Sequence, residues 1–202
     1  MINSLKVLIF LFFCYTLIFH NKIYANEIIF NTSDLNITDN GNITRAGPGF
    51  AYSKVNNIKI DGQSFKFNKT SSILIANNAK AILPEKNIEI KAASLIYDQK
   101  FSTIRALGNV EINDLIKNIT LQSEEAIYDQ KFSTIKALGN VEINDLIKNI
   151  TLQTEEAIYK TNEKIILSNV SSTFLDKLGN NFITEQFTYT LNDSLIKISR
   201  AK

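Results

Sequence analysis

Apolar and polar residues alternate one for one through much of this chain. Thr103-Ile104-Arg105-Ala106, Val110-Glu111-Ile112-Asn113 and Asn118-Ile119-Thr120-Leu121 all show a period of two, the side-chain period of a strand with one face buried. The alternation puts Ile104, Ala106, Val110, Ile112, Ile119 and Leu121 on one face, with Arg105, Glu111 and Thr120 on the other. Ala126 and Tyr128 share the apolar face. Between these runs stand residues that favour turns, in Asp98-Gln99-Lys100, Gly108-Asn109 and Asn113-Asp114. Ile58-Lys59-Ile60, Ser64-Phe65-Lys66-Phe67 and Ile196-Lys197-Ile198 alternate in the same way, and no stretch carries a helical stripe. The pattern predicts an all-β protein of one-faced strands.

The pattern also repeats. Residues 96–126 read IYDQKFSTIRALGNVEINDLIKNITLQSEEA, and residues 127–157 match them at 29 of 31 positions, differing only at Arg105/Lys136 and Ser123/Thr154. The period extends outward in divergent form, to residues 65–95 upstream and 158–189 downstream, so a unit of about 31 residues underlies most of the chain. Each unit reads as four short strands with their turns. In the second near-identical unit, Ile135, Ala137, Val141, Ile143, Ile150 and Leu152 take the same apolar places.

Near-exact duplication constrains the architecture. Extra strands in a closed barrel would force a new tilt, shear and radius, whereas a stacked body lengthens without redesign because each unit touches only its neighbours. A stack leaves edge strands at its two ends, and edges are sites for strand addition.

The N-terminus changes what chemistry is available. Met1–Ala25 reads as a secretory signal peptide: Lys6 is the basic start, Val7–Phe19 is a 13-residue apolar run and Ala25 supplies a small residue at the cut. The run is short of the roughly 20 residues that a membrane helix needs. Cys14, His20 and Met1 are the only residues of their types, and cleavage would remove all three. Residues 26–202 would then have no disulfide, no Cys/His metal site and no thiol or histidine-based catalytic group. Lys6 and Lys22 leave with the signal, so 20 of the 22 basic residues remain against 20 acidic ones. A charge near zero argues against a nucleic-acid binder. Neither a cofactor nor a catalytic residue is expected, and Glu124-Glu125 and Glu155-Glu156 read as solvated strand edges.

The residues also carry a family resemblance. Ala126-Ile127-Tyr128-Asp129, followed by Ile135-Lys136-Ala137-Leu138-Gly139-Asn140-Val141-Glu142-Ile143, resembles the OstA-like periplasmic domain of lipopolysaccharide transport. In that family an Ala-x-Tyr-Asp strand precedes an Ile-x-Ala-x-Gly-Asn-Val-x-Ile strand pair. Leu95-Ile96-Tyr97-Asp98 and Ala157-Ile158-Tyr159 repeat the first half, and the resemblance is clear over about residues 88–190. Asn77-Asn78-Ala79 and Ser168-Asn169-Val170 depart from the Gly-Asn-Val core.

The resemblance implies an antiparallel β-jellyroll, a folded-sheet groove open at both ends whose apolar interior shelters lipid A acyl chains. By that implication Ile104, Ala106, Val110, Ile112, Ile119 and Leu121, with Ile135, Ala137, Val141, Ile143, Ile150 and Leu152, are lipid-lining candidates. It further implies lipopolysaccharide as ligand, head-to-tail edge-strand contacts with other β-jellyroll proteins of the same transport system, and a periplasmic location, in some settings at the outer membrane. Two forms exist in the family, an independent carrier and the N-terminal domain of a translocon, and this chain is expected to be the carrier or a translocon lacking its barrel. The competing expectation is a β-solenoid scaffold or surface adhesion protein with no lipid ligand.

Overall fold

A computed structural model describes residues 28–192 and, for the backbone, 195–201; the signal segment expected at Met1–Ala25 lies outside the described residues. Sixteen antiparallel strands form one sheet. They are β1 (Ile28–Thr32), β2 (Leu35–Thr38), β3 (Ile43–Ala46), β4 (Gly49–Ser53), β5 (Ile58–Gly62), β6 (Ser64–Asn68), β7 (Ile73–Leu83), β8 (Ile88–Asp98), β9 (Thr103–Asp114), β10 (Ile119–Asp129), β11 (Thr134–Asp145), β12 (Ile150–Lys160), β13 (Ile165–Ser168), β14 (Ser172–Leu175), β15 (Asn181–Thr190) and β16 (Leu195–Ala201).

The six central strands, β7 to β12, are 11 or 12 residues long and pair in simple sequence order. Each crosses two halves of the sheet. The register shifts midway, between Lys91 and Ser94, between Ser123 and Glu125, and between Leu138 and Val141. At the same level Gly108 and Asn109 have φ of 74° and 49°, and Gly139 and Asn140 have φ of 76° and 45°. Two successive left-handed residues make a bulge that bends a strand sharply. Gly108-Asn109 is therefore where a strand bends and continues. The four strand segments of each unit are joined in pairs, two in each half.

The bends align into a crease, and the sheet folds along it. The apolar faces require this. Ile104, Leu121, Ile135 and Ile143 are 0–1% exposed, which one face of a single sheet achieves only if another layer covers it, and here that layer is the sheet's own other half. Side-chain size follows the wedge. Ala106, Ala126, Ala137 and Ala157 form a paired row next to the crease, where the halves converge. Farther out the row is Ile104, Tyr128, Ile135 and Tyr159. Each fully buried Ile or Leu contributes roughly 1.5–3 kcal/mol, so the repeat itself supplies the core.

At the ends of the stack, shorter strands divide the work. One half of β7 pairs with β6 and the other half with β5; β12 similarly pairs with β13 and β14. The hairpin turns that tip the long strands close on left-handed residues in matching places, Ser72, Ser102 and Ser133 on one lip and Asn57, Asn87, Asn118 and Asn149 on the other. Asparagine tolerates that conformation best. Aspartates fix the turns: Asp98 Oδ1 accepts from the Lys100 and Phe101 amides, and Asp114 Oδ1 from the Lys117 amide.

Candidate functional site

The twelve candidate lining residues lie on one continuous apolar face. Ile104, Ala106, Ile135 and Ala137 come from one half of the folded sheet, and Val110, Ile112, Ile119, Leu121, Val141, Ile143, Ile150 and Leu152 from the other. All but Ile150 are buried, and Ile150 is half-buried against the same core. The sheet as it stands is closed, with these side chains packed against one another.

What closes it is a set of contacts between the two lips, opposite the crease. Tyr97, Tyr128, Tyr159 and Tyr189 stand on one lip, one per repeat, and each is 0–1% exposed. Tyr159 donates to Asp114 Oδ2 and Tyr189 to Asp145 Oδ2, both at 2.7 Å. In each case the tyrosine lies three strands along the sheet from its aspartate, β12 to β9 and β15 to β11. Neither pair belongs to neighbouring strands, so each bond spans the mouth. The aspartates are only 2% and 3% exposed, and a buried carboxylate must be paired. Lys117 Nζ reaches Asp114 Oδ2 at 2.8 Å, while Lys148 Nζ lies 3.9 Å from Asp145 Oδ2 and donates to the Leu191 carbonyl across the mouth.

The polar end of the mouth is built differently. Tyr97 donates to Ser53 Oγ at 3.1 Å and accepts from Asn56 Nδ2 at 2.6 Å. Gln99 Nε2 donates to Ser53 Oγ, and Gln130 Nε2 to the Asn56 carbonyl. Burial raises the Tyr97, Tyr128, Tyr159 and Tyr189 hydroxyls above the ordinary value of 10.0, Tyr128 to about 12, and the carboxylates beside Tyr159 and Tyr189 push those two further.

Sequence pattern alone places Asp114 and Gln99 in turns. The structure turns both inward, since Asp114 has the same parity as Ile112 and Gln99 the same parity as Tyr97. The readable signal was a tyrosine recurring once per unit on the apolar face.

A second concavity of about 1280 Å³ runs along the crease and is lined by outward-facing Lys80, Glu89, Lys91 and Glu111 together with Asn78 and Asn109. Its lining also takes in Ala79, Ala92 and Val110 from the apolar face. Among the described residues, no group of His, Cys, Asp or Glu is arranged to hold a metal ion.

No family model matches the chain, and no curated protein does. Among solved structures it is similar to LptH, the LptA-homologous periplasmic component of the lipopolysaccharide transport device of Pseudomonas aeruginosa. The TM-score is 0.51 at 16% identity, over 58% of this chain and 85% of that one. At that identity the likeness is one of fold. It agrees with the fold implied by the Ala-x-Tyr-Asp and Gly-Asn-Val segments, and the chain shares the β-jellyroll fold of that structure.

Proposed function

We propose that this chain is a periplasmic, non-enzymatic component of lipopolysaccharide transport that carries lipid A acyl chains between the two halves of its folded sheet. The observation that carries the reading is the interior itself: an apolar face continuous through every repeat, covered only by the sheet folding over, and fastened along one side by a few polar bonds. Separating the lips would expose a trough rather than unravel the fold, because the backbone ladder runs within each half and across the crease. Each acyl CH₂ sheltered there contributes about 0.8 kcal/mol. Transfer along such a trough is binding and release, and it uses no nucleophile or acid–base pair. The terminal edges, with β2 fully exposed and carrying Leu35 and Ile37, would accept strands of other β-jellyroll proteins in the same system.

A photo-crosslinking residue at position 143, activated in cells, tests the reading: capture of lipopolysaccharide supports it, and no capture at 143, 112 or 121 would overturn it. The tight burial of Ile112, Leu121 and Ile143 favours a second reading, a scaffold with a solid core. In that case the same sites crosslink only to the chain's own side chains.

A further inference from the structure

The row of tyrosine bonds across the mouth is interrupted once. Tyr159 reaches Asp114 and Tyr189 reaches Asp145 at an offset of three strands. The same offset carries Tyr97 from β8 to β4, where it finds Ser53. For Tyr128, on β10, it leads to β7, where the residue matching Asp114 and Asp145 one repeat upstream is Leu83, 1% exposed and apolar. Tyr128 Oη accordingly has no hydrogen-bond partner although its residue is fully buried; the Ser133 hydroxyl lies near enough to influence it without making a bond of good geometry.

Two further buried acceptors on the tyrosine lip are also unpartnered, Gln99 Oε1 and Gln130 Oε1, on amides whose Nε2 atoms are already committed to Ser53 and Asn56 at the Tyr97 end of the mouth. A buried polar atom without a partner is costly, and three of them along one lip, Tyr128 Oη among them, mark a place built for something else to meet. The turns nearby supply apolar flanks. Phe101 and Phe132 are 63% and 68% exposed on the tyrosine lip, and Leu115 and Ile116 are 55% and 63% exposed on the other.

We propose that the mouth at Tyr128 is the lateral portal through which an acyl-chain amphiphile passes into the interior, its chains crossing between Tyr128 and Leu83. The two free amide oxygens receive hydrogens from the head group. That head group therefore bears hydroxyl or amide N–H donors, as an acylated amino sugar does, and an ionised fatty acid does not. The proposal rests on the lipid-carrier reading above and adds to it a place of passage and a head-group chemistry.

The test uses the full exported chain, fluorescent lipopolysaccharide and fluorescent hexadecanoate. Leu83→Asp supplies the missing partner and should slow lipopolysaccharide uptake about tenfold, the effect of one added charge-assisted hydrogen bond on opening, while Tyr159→Phe should not slow it. Gln99→Leu/Gln130→Leu should weaken lipopolysaccharide binding and leave hexadecanoate unaffected. In parallel, a photo-crosslinking phenylalanine at 128 should capture lipopolysaccharide several-fold more than one at 159 in the first seconds of uptake. A Leu83→Asp chain that melts as the wild type and loads at the wild-type rate overturns the portal, as does equal early capture at 128 and 159; the capture comparison decides alone if Leu83→Asp fails to fold. No uptake by the wild-type chain overturns the carrier reading itself, whereas uptake with unchanged rates removes only the portal.

Discussion

Tyr159 and Asp114 are 45 residues and three strands apart, and their 2.7 Å hydrogen bond joins the two lips of one folded sheet. The acceptor is a buried carboxylate that also receives Lys117 Nζ and the Lys117 amide. Tyr159→Phe removes one donor and should lower stability by about 1.5–3 kcal/mol. Asp114→Ala strips the partner from Tyr159 and Lys117 together and loosens the turn, so it should cost more, about 3–5 kcal/mol. Urea unfolding of both variants gives the order, and the reverse order would show that the turn, not the mouth, depends on Asp114.

Alkali should open the protein through the same tyrosines. Their hydroxyls hold protons more tightly when folded, Tyr128 to about 12 against an ordinary 10.0 and Tyr97, Tyr159 and Tyr189 also raised. Protons are thus released on unfolding once pH exceeds the ordinary value, so stability is fully present below pH 10.0 and declines as pH rises towards 12. Urea midpoints across that range should fall steeply, and less steeply in Tyr128→Phe.

The crease depends on glycine at one position per duplicated unit. Gly139 has φ of +76°, and a Cβ there would lie 2.7 Å from Glu124 Oε2 and 3.0 Å from Glu124 Cβ; at Gly108, φ +74°, the nearest atom would be Ala93 Cβ at 3.3 Å. Gly108→Ala should cost about 1–2 kcal/mol for the left-handed backbone. Gly139→Ala adds the contact with Glu124 and should cost more. Equal thermal shifts would show that Glu124 moves aside freely.

Ile143 is 0% exposed among packed apolar neighbours, so Ile143→Ala should lower the stability of the lipid-free protein by about 2–5 kcal/mol. If acyl chains occupy the interior, saturating lipopolysaccharide should restore part of that loss, since a ligand bound only to the folded form stabilises it. Calorimetry with and without lipid checks both statements.

Removing residues 96–126 rejoins Leu95 to Ile127 in phase and takes out one unit, two long strands. The shortened chain should fold, with a body about 10 Å shorter from two strand spacings. Circular dichroism and small-angle scattering read both, and an unfolded product would argue that the stack cannot be shortened.

Alternation alone was enough to show the strands and their apolar faces, because Ile104 and Ala106, Val110 and Ile112, and Ile119 and Leu121 each occupy alternate places within their segments. The repeat likewise showed the open stack. What stayed hidden was how segments join, since Gly108-Asn109 has the chemistry of a hairpin turn and of a bulge alike; only the partner strand decides. The mouth was hidden for another reason. Parity with Ile112 points Asp114 inward, but its meeting with Tyr159 follows from a three-strand offset that no local sequence records.

That offset has an evolutionary consequence. One unit adds two strands, whereas each tyrosine looks back three, so copying a unit always brings a new Asp for a later tyrosine and leaves Leu83 facing some tyrosine. In the present chain that residue is Tyr128; with residues 96–126 removed it would be Tyr159, while Tyr128 would inherit Ser53. Gene duplication can therefore lengthen the stack while leaving one tyrosine opposite Leu83, so the length of the body and the number of tyrosines without an aspartate or serine partner vary separately.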